Sequence, residues 1–466
     1  MNLILSKIKS SNKYLIAIVS LIILRAYLNS VIPLMDKTEA RYAEISRIMA
    51  ETNNWIVLQI DYGIPFWAKP PLSTWLSASS ISMFGLNEFF VRLPFLILSI
   101  FMIFWITSFN KHSDKTSKFV PGLILFSLPE FFLHSGVVST DTCLSFGVFI
   151  TFFGFWKWVN EGFKKKWIYI FFIGLSIGIL SKGPIALILS IPPLLAWILR
   201  FKINPKLILK TDLIFGFLLL LLLSSPWYYL NEKYSPGFIN YFIIGEHFQR
   251  FFDSNWIGDK YGFPKSQPIG IIWGFLFLSS IPWIFLIIKK TFSQIKLIWN
   301  DKWRLFLFFW LLWTPMFFTI SKSLIHPYIL PVMTPIALLV YSWWSEIENK
   351  KLYFTISLVF PILSLIFYFT DFGNTTIRNN TDKFILKNLN QNEIIYSLNE
   401  KSYSSQFYTN GKIQKINKEY LDSILSLEKT FIILINHNDI KKLKLFKSKK
   451  IDLLSENNKK GLYKIN

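Results

Sequence analysis

Met35-Asp36-Lys37-Thr38-Glu39-Ala40-Arg41-Tyr42-Ala43-Glu44 and, after a polar middle, Pro65-Phe66-Trp67-Ala68-Lys69-Pro70-Pro71-Leu72-Ser73-Thr74-Trp75 form the stretch on which this chain turns. It follows the first long apolar run. Acids, cations and aromatic rings are dense in it, whereas the rest of the first half is mostly Leu, Ile and Phe. Ionisable groups concentrated beside a membrane span mark the place where chemistry is expected.

Outward from that stretch the chain reads as a membrane protein. Of its 466 residues, 52% are hydrophobic and 18% aromatic, and the mean hydropathy is +0.39. Soluble domains rarely look like this. A bilayer crossing needs roughly 20 apolar residues, fewer where flanking side chains snorkel. About eleven such stretches are predicted, near 14–34, 91–109, 119–138, 143–159, 167–181, 184–200, 211–230, 268–288, 305–320, 327–345 and 352–370. The first is too long for a signal-peptide core and is expected to be retained.

The net charge of +22 would suggest nucleic acid in a soluble protein. Here much of it lies in short loops, where the positive-inside rule accounts for it. Lys7, Lys9 and Lys13, the loop from Lys111 to Lys118, Lys164 to Lys166, Arg200, Lys202, Lys206, Lys210, Lys289, Lys290, Lys296, Lys302, Arg304, Lys350 and Lys351 all sort to one side. That side is the cytoplasm, with the N-terminus on it. The acid, histidine and lysine motifs sort to the other side, in outer loops 35–90 and 231–267 and in short breaks between spans. Two short helices in loop 35–90 are predicted to lie along the membrane surface. The single Cys143 excludes an intramolecular disulfide framework and a cysteine-rich metal site.

Residues 371–466 are polar, with short apolar runs such as Phe431-Ile432-Ile433-Leu434-Ile435. Strand-like and helix-like pieces alternate, which predicts a small α/β domain outside the membrane. The fold class is therefore an all-α polytopic membrane domain, residues 1–370, with that domain appended. No Gly-rich phosphate loop and no solenoid repeat is present, so no nucleotide cofactor is expected.

Each motif has a structural and a chemical reading. Asp36-Lys37-Thr38-Glu39 fits a capping box, Asp36 capping a helix and Glu39 reaching back. It equally places Asp36 or Glu39 as a general base. Lys69 before two prolines is either a snorkelling anchor or a phosphate contact at headgroup level. Asp141, in Ser139-Thr140-Asp141-Thr142, and Lys182, in Ser181-Lys182-Gly183-Pro184, are ionisable residues between apolar helices. An acid and two lysines on one face suit an anionic substrate with a bound cation. Glu246, His247 and Arg250 share one helical turn, as a solvated face or a binding cluster. His326 and Tyr328 read as interfacial residues or as site residues.

Taken in order, several of these motifs resemble the bacterial dolichyl-phosphate-mannose–protein mannosyltransferase-like membrane glycosyltransferases, and most of all the branch that includes the lipid A aminoarabinose transferase. The carriers are Thr38-Glu39-Ala40-Arg41-Tyr42-Ala43-Glu44-Ile45, Phe66-Trp67-Ala68-Lys69-Pro70-Pro71, Asp141, Ser181-Lys182-Gly183, Glu246-His247-Phe248-Gln249-Arg250 and Tyr328-Ile329-Leu330-Pro331. The resemblance implies a GT-C fold, a polyprenyl-phosphate sugar donor, a lipid or protein acceptor and an active site at the outer face of the inner membrane. It departs from the family at Thr38, where an Asp is usual, and at Ala68, where the lipid A transferase has a metal-binding Glu. Asp141 is then the one matching ligand for a divalent metal.

Together these readings predict an inverting glycosyltransferase. Asp36 or Glu39 would act as base, and Lys69, Lys182 and Arg250 would neutralise the leaving phosphate. Arg41 and Tyr42 would position these groups, with Glu246, His247, His326 and Tyr328 as further substrate contacts. The rival reading is a transporter or flippase of polyprenyl-linked sugars, which would more often show a midplane site and repeats.

Overall fold

The computed structural model describes residues 2–109, 118–203, 211–253, 256–261, 266–387, 389, 394–426, 430–440 and 451–466, with side chains from residue 13 onward. The loop from Lys111, and Lys206 and Lys210, lie outside the described residues, as do the side chains of Lys7 and Lys9. The protein is mostly helical, with one larger sheet near its C-terminal end.

Five described helices are long and apolar enough to cross a membrane: Lys13–Val31 within α1 (Asn2–Val31), Glu88–Phe109 including α4 (Glu88–Trp105), α7 (Thr140–Asn160), α10 (Thr211–Tyr234) and α15 (Lys350–Phe369). A sixth crossing is counted if α11 (Ile271–Ser279) and α12 (Trp283–Asn300), which meet at 108°, form one span. Against the eleven expected, the other five stretches are helical but short, interrupted or charged. The 119–138 stretch breaks at Leu128, whose extended backbone precedes Pro129, into α5 (Val120–Ser127) and α6 (Pro129–His134). Helix α8 (Lys165–Lys182) carries three lysines; α9 (Ile185–Arg200) and α13 (Lys302–Phe318) are shorter. The last, before α14 (Met333–Ser342), opens with a 3₁₀ turn, His326–Val332.

Helix α7 is central: it is nearly enveloped by other helices, whereas α15 is mostly uncovered. Its partner is α8, and glycine sets their spacing. A Cβ on Gly147 would stand 2.7 Å from the Gly178 nitrogen, and one on Gly154 2.6 Å from that of Phe171. Small residues let the two backbones touch, the usual device of membrane helices. Because α7 and α8 run antiparallel as consecutive helices, the start of α7 lies beside the end of α8. Asp141 and Lys182 therefore meet.

Loop 35–90 differs from its expectation. Helix α2 (Thr38–Thr52) is not an open surface helix: of the eleven residues from Glu39 to Met49, all but Arg41 are buried. It packs on α3 (Leu72–Phe84), and its connection contains a small antiparallel pair, β1 (Gln59–Asp61) with β2 (Ile64–Pro65). The capping box does not form. Lys37 occupies the N-cap without a side-chain capping hydrogen bond, and both acids are engaged elsewhere.

After α16 (Asp371–Arg378) come five strands, β3 (Ile395–Leu398), β4 (Ile413–Ile416), β5 (Phe431–Asn436), β6 (Ile451–Glu456) and β7 (Lys460–Ile465), ordered β4-β3-β5-β7-β6. β3 pairs parallel with β4 and β5, and β7 antiparallel with β5 and β6. The apolar run in β5 is explained by burial on both faces: Ile433 and Ile435 enter one cluster, Ile432 and Leu434 the other. Helix α17 (Tyr403–Tyr408) leaves this sheet and packs on α2.

Candidate active site

Six of the expected site residues line one cavity of about 260 Å³: Lys69, Lys182, Glu246, His247, Arg250 and Tyr328. They come from four places in the chain. Lys69 stands before α3, where Pro70 and Pro71 fix the approach. Lys182 ends α8. Glu246 and His247 lie on a π-helix, Asn240–Gln249, and Arg250 follows it. Tyr328 belongs to the 3₁₀ turn. The same cavity also has apolar walls, among them Leu144, Ile188, Leu189, Phe251, Phe317 and Phe318.

The cations are held by carboxylates. Lys69 Nζ donates to Glu246 Oε2 at 2.9 Å and to the Ala68 carbonyl at 2.6 Å. Arg250 Nη1 donates to both oxygens of Glu246 at 3.0 and 3.1 Å. Burial alone would raise the Glu246 carboxyl, but Lys69 and Arg250 outweigh it and hold the group below the usual carboxylate range. Lys182 Nζ bonds Asp141 Oδ1 and lies 4.0 Å over the Tyr328 ring. Each cation is therefore pre-placed, and each counter-charge is buried.

His247 ties the π-helix to α8. Its Nε2 lies 3.0 Å from the Lys182 carbonyl and its Nδ1 2.7 Å from that of Phe242. Burial, with Lys69 nearby, keeps its pKa below the ordinary histidine value despite the two carbonyls. Gly183 makes the approach possible: its φ is +74°, and a Cβ there would lie 2.6 Å from the Phe242 ring and 3.2 Å from His247.

The remaining expected residues do not line the cavity. Asp36 Oδ1 accepts from the Ser404 amide at 3.0 Å and Oδ2 from the Ser404 hydroxyl. Glu39 takes the Arg92 guanidinium on both oxygens, at 2.8 and 2.7 Å, deep beside α4. Arg41 donates to the Tyr261 carbonyl at 2.6 Å, and Tyr42 is buried edge-on to Phe66. Both brace the loop. His326 Nδ1 bonds Glu130 at 2.9 and 3.0 Å on the far side of the 3₁₀ turn.

Asp141, the expected metal ligand, is paired with Lys182 instead. Among the described residues no group of three or more His, Cys, Asp or Glu could hold a metal ion. The residue before Lys69 is Ala68, and Glu246 is already taken by two cations. This donor set does not fit a resident divalent metal, and an ammonium stands where the cation was expected.

Two groupings went unread in the sequence. Glu130 is shared by His134 (2.9 Å), His326 and the Ser279 hydroxyl (3.3 Å), at the point where α5/α6, α11/α12 and the 3₁₀ turn all break. An acid and a histidine four apart inside an apolar run were the signal for it. The second is the Ser404 contact to Asp36, for which no local pattern exists.

Comparisons with known proteins agree with this architecture. The family model for dolichyl-phosphate-mannose-protein mannosyltransferase matches residues 11–242. An undecaprenyl phosphate-alpha-4-amino-4-deoxy-L-arabinose arabinosyl transferase of Wigglesworthia glossinidia brevipalpis is 30% identical over 331 residues, 68% of this chain and 56% of the relative. The protein of the same name from Enterobacter sp. (strain 638) is 29% identical, over 66% of this chain and 54% of its own length. The chain thus spans little more than half the length of these curated relatives. The crystal structure of ArnT from Cupriavidus metallidurans bound to undecaprenyl phosphate superimposes with a TM-score of 0.76 at 15% identity, covering 97% of this chain and 98% of that one, a likeness of fold. The motifs, the family model and the shared fold converge: residues 11–242 match the dolichyl-phosphate-mannose-protein mannosyltransferase family, and the chain resembles the aminoarabinose transferase branch.

Proposed function

We propose that this protein transfers a monosaccharide from a polyprenyl-phosphate donor to a lipid or protein acceptor at the outer face of the bacterial cytoplasmic membrane. One observation carries the reading: a single cavity is lined both by three cations and by aliphatic and aromatic side chains. A phosphate diester on a long hydrocarbon matches both kinds of lining. The activity for which the relatives are named favours an aminopentose as the sugar and undecaprenyl as the lipid.

In this reaction the acceptor O–H or N–H bond breaks and its heavy atom bonds the anomeric carbon. The bond from that carbon to the phosphate oxygen breaks, and its electron pair stays on the phosphate. Lys69, Lys182 and Arg250 meet the growing negative charge in place, without reorganising. For the base we choose Asp36. Both Glu39 oxygens are taken by the Arg92 guanidinium, whereas burial raises the Asp36 carboxyl against the pull of its Ser404 bonds, towards the range a base needs. With the charge sorting above, the proposal includes about eleven crossings, an N-terminus inside, and residues 371–466 as a domain outside.

Purified protein incubated with a labelled undecaprenyl-phosphate sugar and a membrane lipid extract should release undecaprenyl phosphate and label an acceptor. Absence of cleavage across a donor panel would refute the transferase. Label crossing sealed vesicles uncleaved would establish a carrier in its place.

A further inference from the structure

The chain that holds Asp36 comes from more than 360 positions away. Both oxygens of its carboxylate accept from one residue, Ser404, through the amide at 3.0 Å and through the hydroxyl. Ser404 is fully buried and is itself fixed, its Oγ accepting from the Asp382 amide at 3.0 Å. Asp382, also buried, accepts from the Ser402 hydroxyl and from Lys460 Nζ at 2.8 Å. Ser402 caps α17 by accepting from the Ser405 amide at 3.1 Å. The backbone flanking Asp36 is tied to the same region: the Asp36 amide donates to the Asn380 carbonyl at 2.8 Å, and the Leu34 amide to the Tyr408 hydroxyl at 2.8 Å.

We propose that Ser404 is the positioning residue for Asp36, and that the C-terminal segment is thereby a working part of the active site. This rests on Asp36 being the base. A lobe that merely covered the outer loop would need only apolar contact, which Phe407 supplies by entering the core of Tyr42 and Phe66. This one spends a buried, satisfied polar network on one carboxylate, and such networks specify a single arrangement. Two donors aim the carboxylate, one per oxygen, and leave each oxygen a further lone pair for the acceptor's proton. They also favour its ionised form. Burial acts against them by raising the carboxyl; Asp382 facing it raises it further and Lys460 lowers it. The base must be ionised to act, so the acidic limb of the rate profile follows this group. Losing the Ser404 hydroxyl, or the Lys460 charge, moves that limb to higher pH.

The test uses the full chain in lipid nanodiscs, with undecaprenyl-phosphate sugar turnover measured from pH 5 to 9. Ser404→Ala should lower kcat about tenfold, the scale of one hydrogen bond to a charged group, leave the donor KM within about twofold and shift the acidic limb upward. Ser404→Thr should restore much of the rate. Lys460→Gln, at a half-buried site that does not touch the Asp36 carboxylate, should shift the limb as well, with some loss of thermal stability because the buried Asp382 loses its ammonium partner. An unmoved limb in folded Ser404→Ala and Lys460→Gln, whatever the rate, overturns the positioning role. Full activity in Asp36→Asn overturns it too, by removing the base. A wild type that cleaves no donor fails the transferase reading itself, and this inference with it.

Discussion

Lys69→Gln separates the charge of the proposed phosphate subsite from its architecture. The lysine is 17% exposed and shares Glu246 with Arg250. When its ammonium is removed, Glu246 keeps both bonds from Arg250, so the buried carboxylate is still compensated and the fold should hold. Lys182→Gln is different. Asp141 is 5% exposed and would retain only the Ser139 hydroxyl, at 3.2 Å. Leaving a buried charge unpaired typically costs about 3–5 kcal/mol, so that variant should lose stability before it reports on catalysis, and Asp141→Asn in the same chain should relieve it. Lys69→Gln is the cleaner probe. A lost charged hydrogen bond costs roughly 1.5–3 kcal/mol, or about 10- to 150-fold at 1.36 kcal/mol per decade. Because the phosphate gains charge as the sugar leaves, the loss should be split between a lower kcat and a higher donor KM. Initial rates against donor concentration measure both. If kcat and KM each stay within about twofold of wild type, Lys69 is only an interfacial anchor.

Three further outcomes are expected. Glu246 has its pKa depressed, so the stability it contributes is complete above the unfolded value of about 4.3 and is lost as pH falls through the lower folded value; the thermal midpoint of Glu246→Gln should decline less than that of wild type on acidification from pH 5 to 3, and parallel declines would contradict the pairing. Turnover should be insensitive to chelators and unstimulated by added Mg²⁺ or Zn²⁺, because Lys182 occupies Asp141; metal-dependent recovery after chelation would reverse this. In membranes, cysteines placed at Lys165, whose side chain is 74% exposed, and at the exposed Lys415 should label from opposite sides, with the buried native Cys143 silent; labelling of both from one side would refute the topology.

The cavity residues were legible in the sequence because each broke a local pattern. Lys182 interrupts two apolar helices, and Glu246, His247 and Arg250 cluster in the otherwise uncharged run 234–252. Pairings were not legible, since they depend on which helices pack. Nothing near Asp141 says that its partner is Lys182; that follows from the glycines that let α7 and α8 touch. Glu39 reads locally as half of a capping box, yet Arg92 on α4 outcompetes the backbone for it with a bidentate charged contact. Span counting by hydropathy missed the break at Pro129, because its neighbours are as apolar as any lipid-facing helix. That same averaging concealed Glu130 and His134.

The π-helix that presents Glu246 and His247 makes this part of the chain sensitive to length. Such a segment carries a residue more per turn than an ordinary helix. Deleting one residue between 240 and 244 would remove the residue that the wider turns accommodate and let the segment rewind as an α-helix, changing the turn and rise of the residues that lead to Glu246 and His247. Glu246 would then leave Lys69, now 2.9 Å away, and His247 would leave the Lys182 carbonyl at 3.0 Å. A new side chain at the exposed Ile244 costs little by comparison. Insertions and deletions here are thus far larger events than substitutions, and descent with function should preserve the count of residues more strictly than their identity.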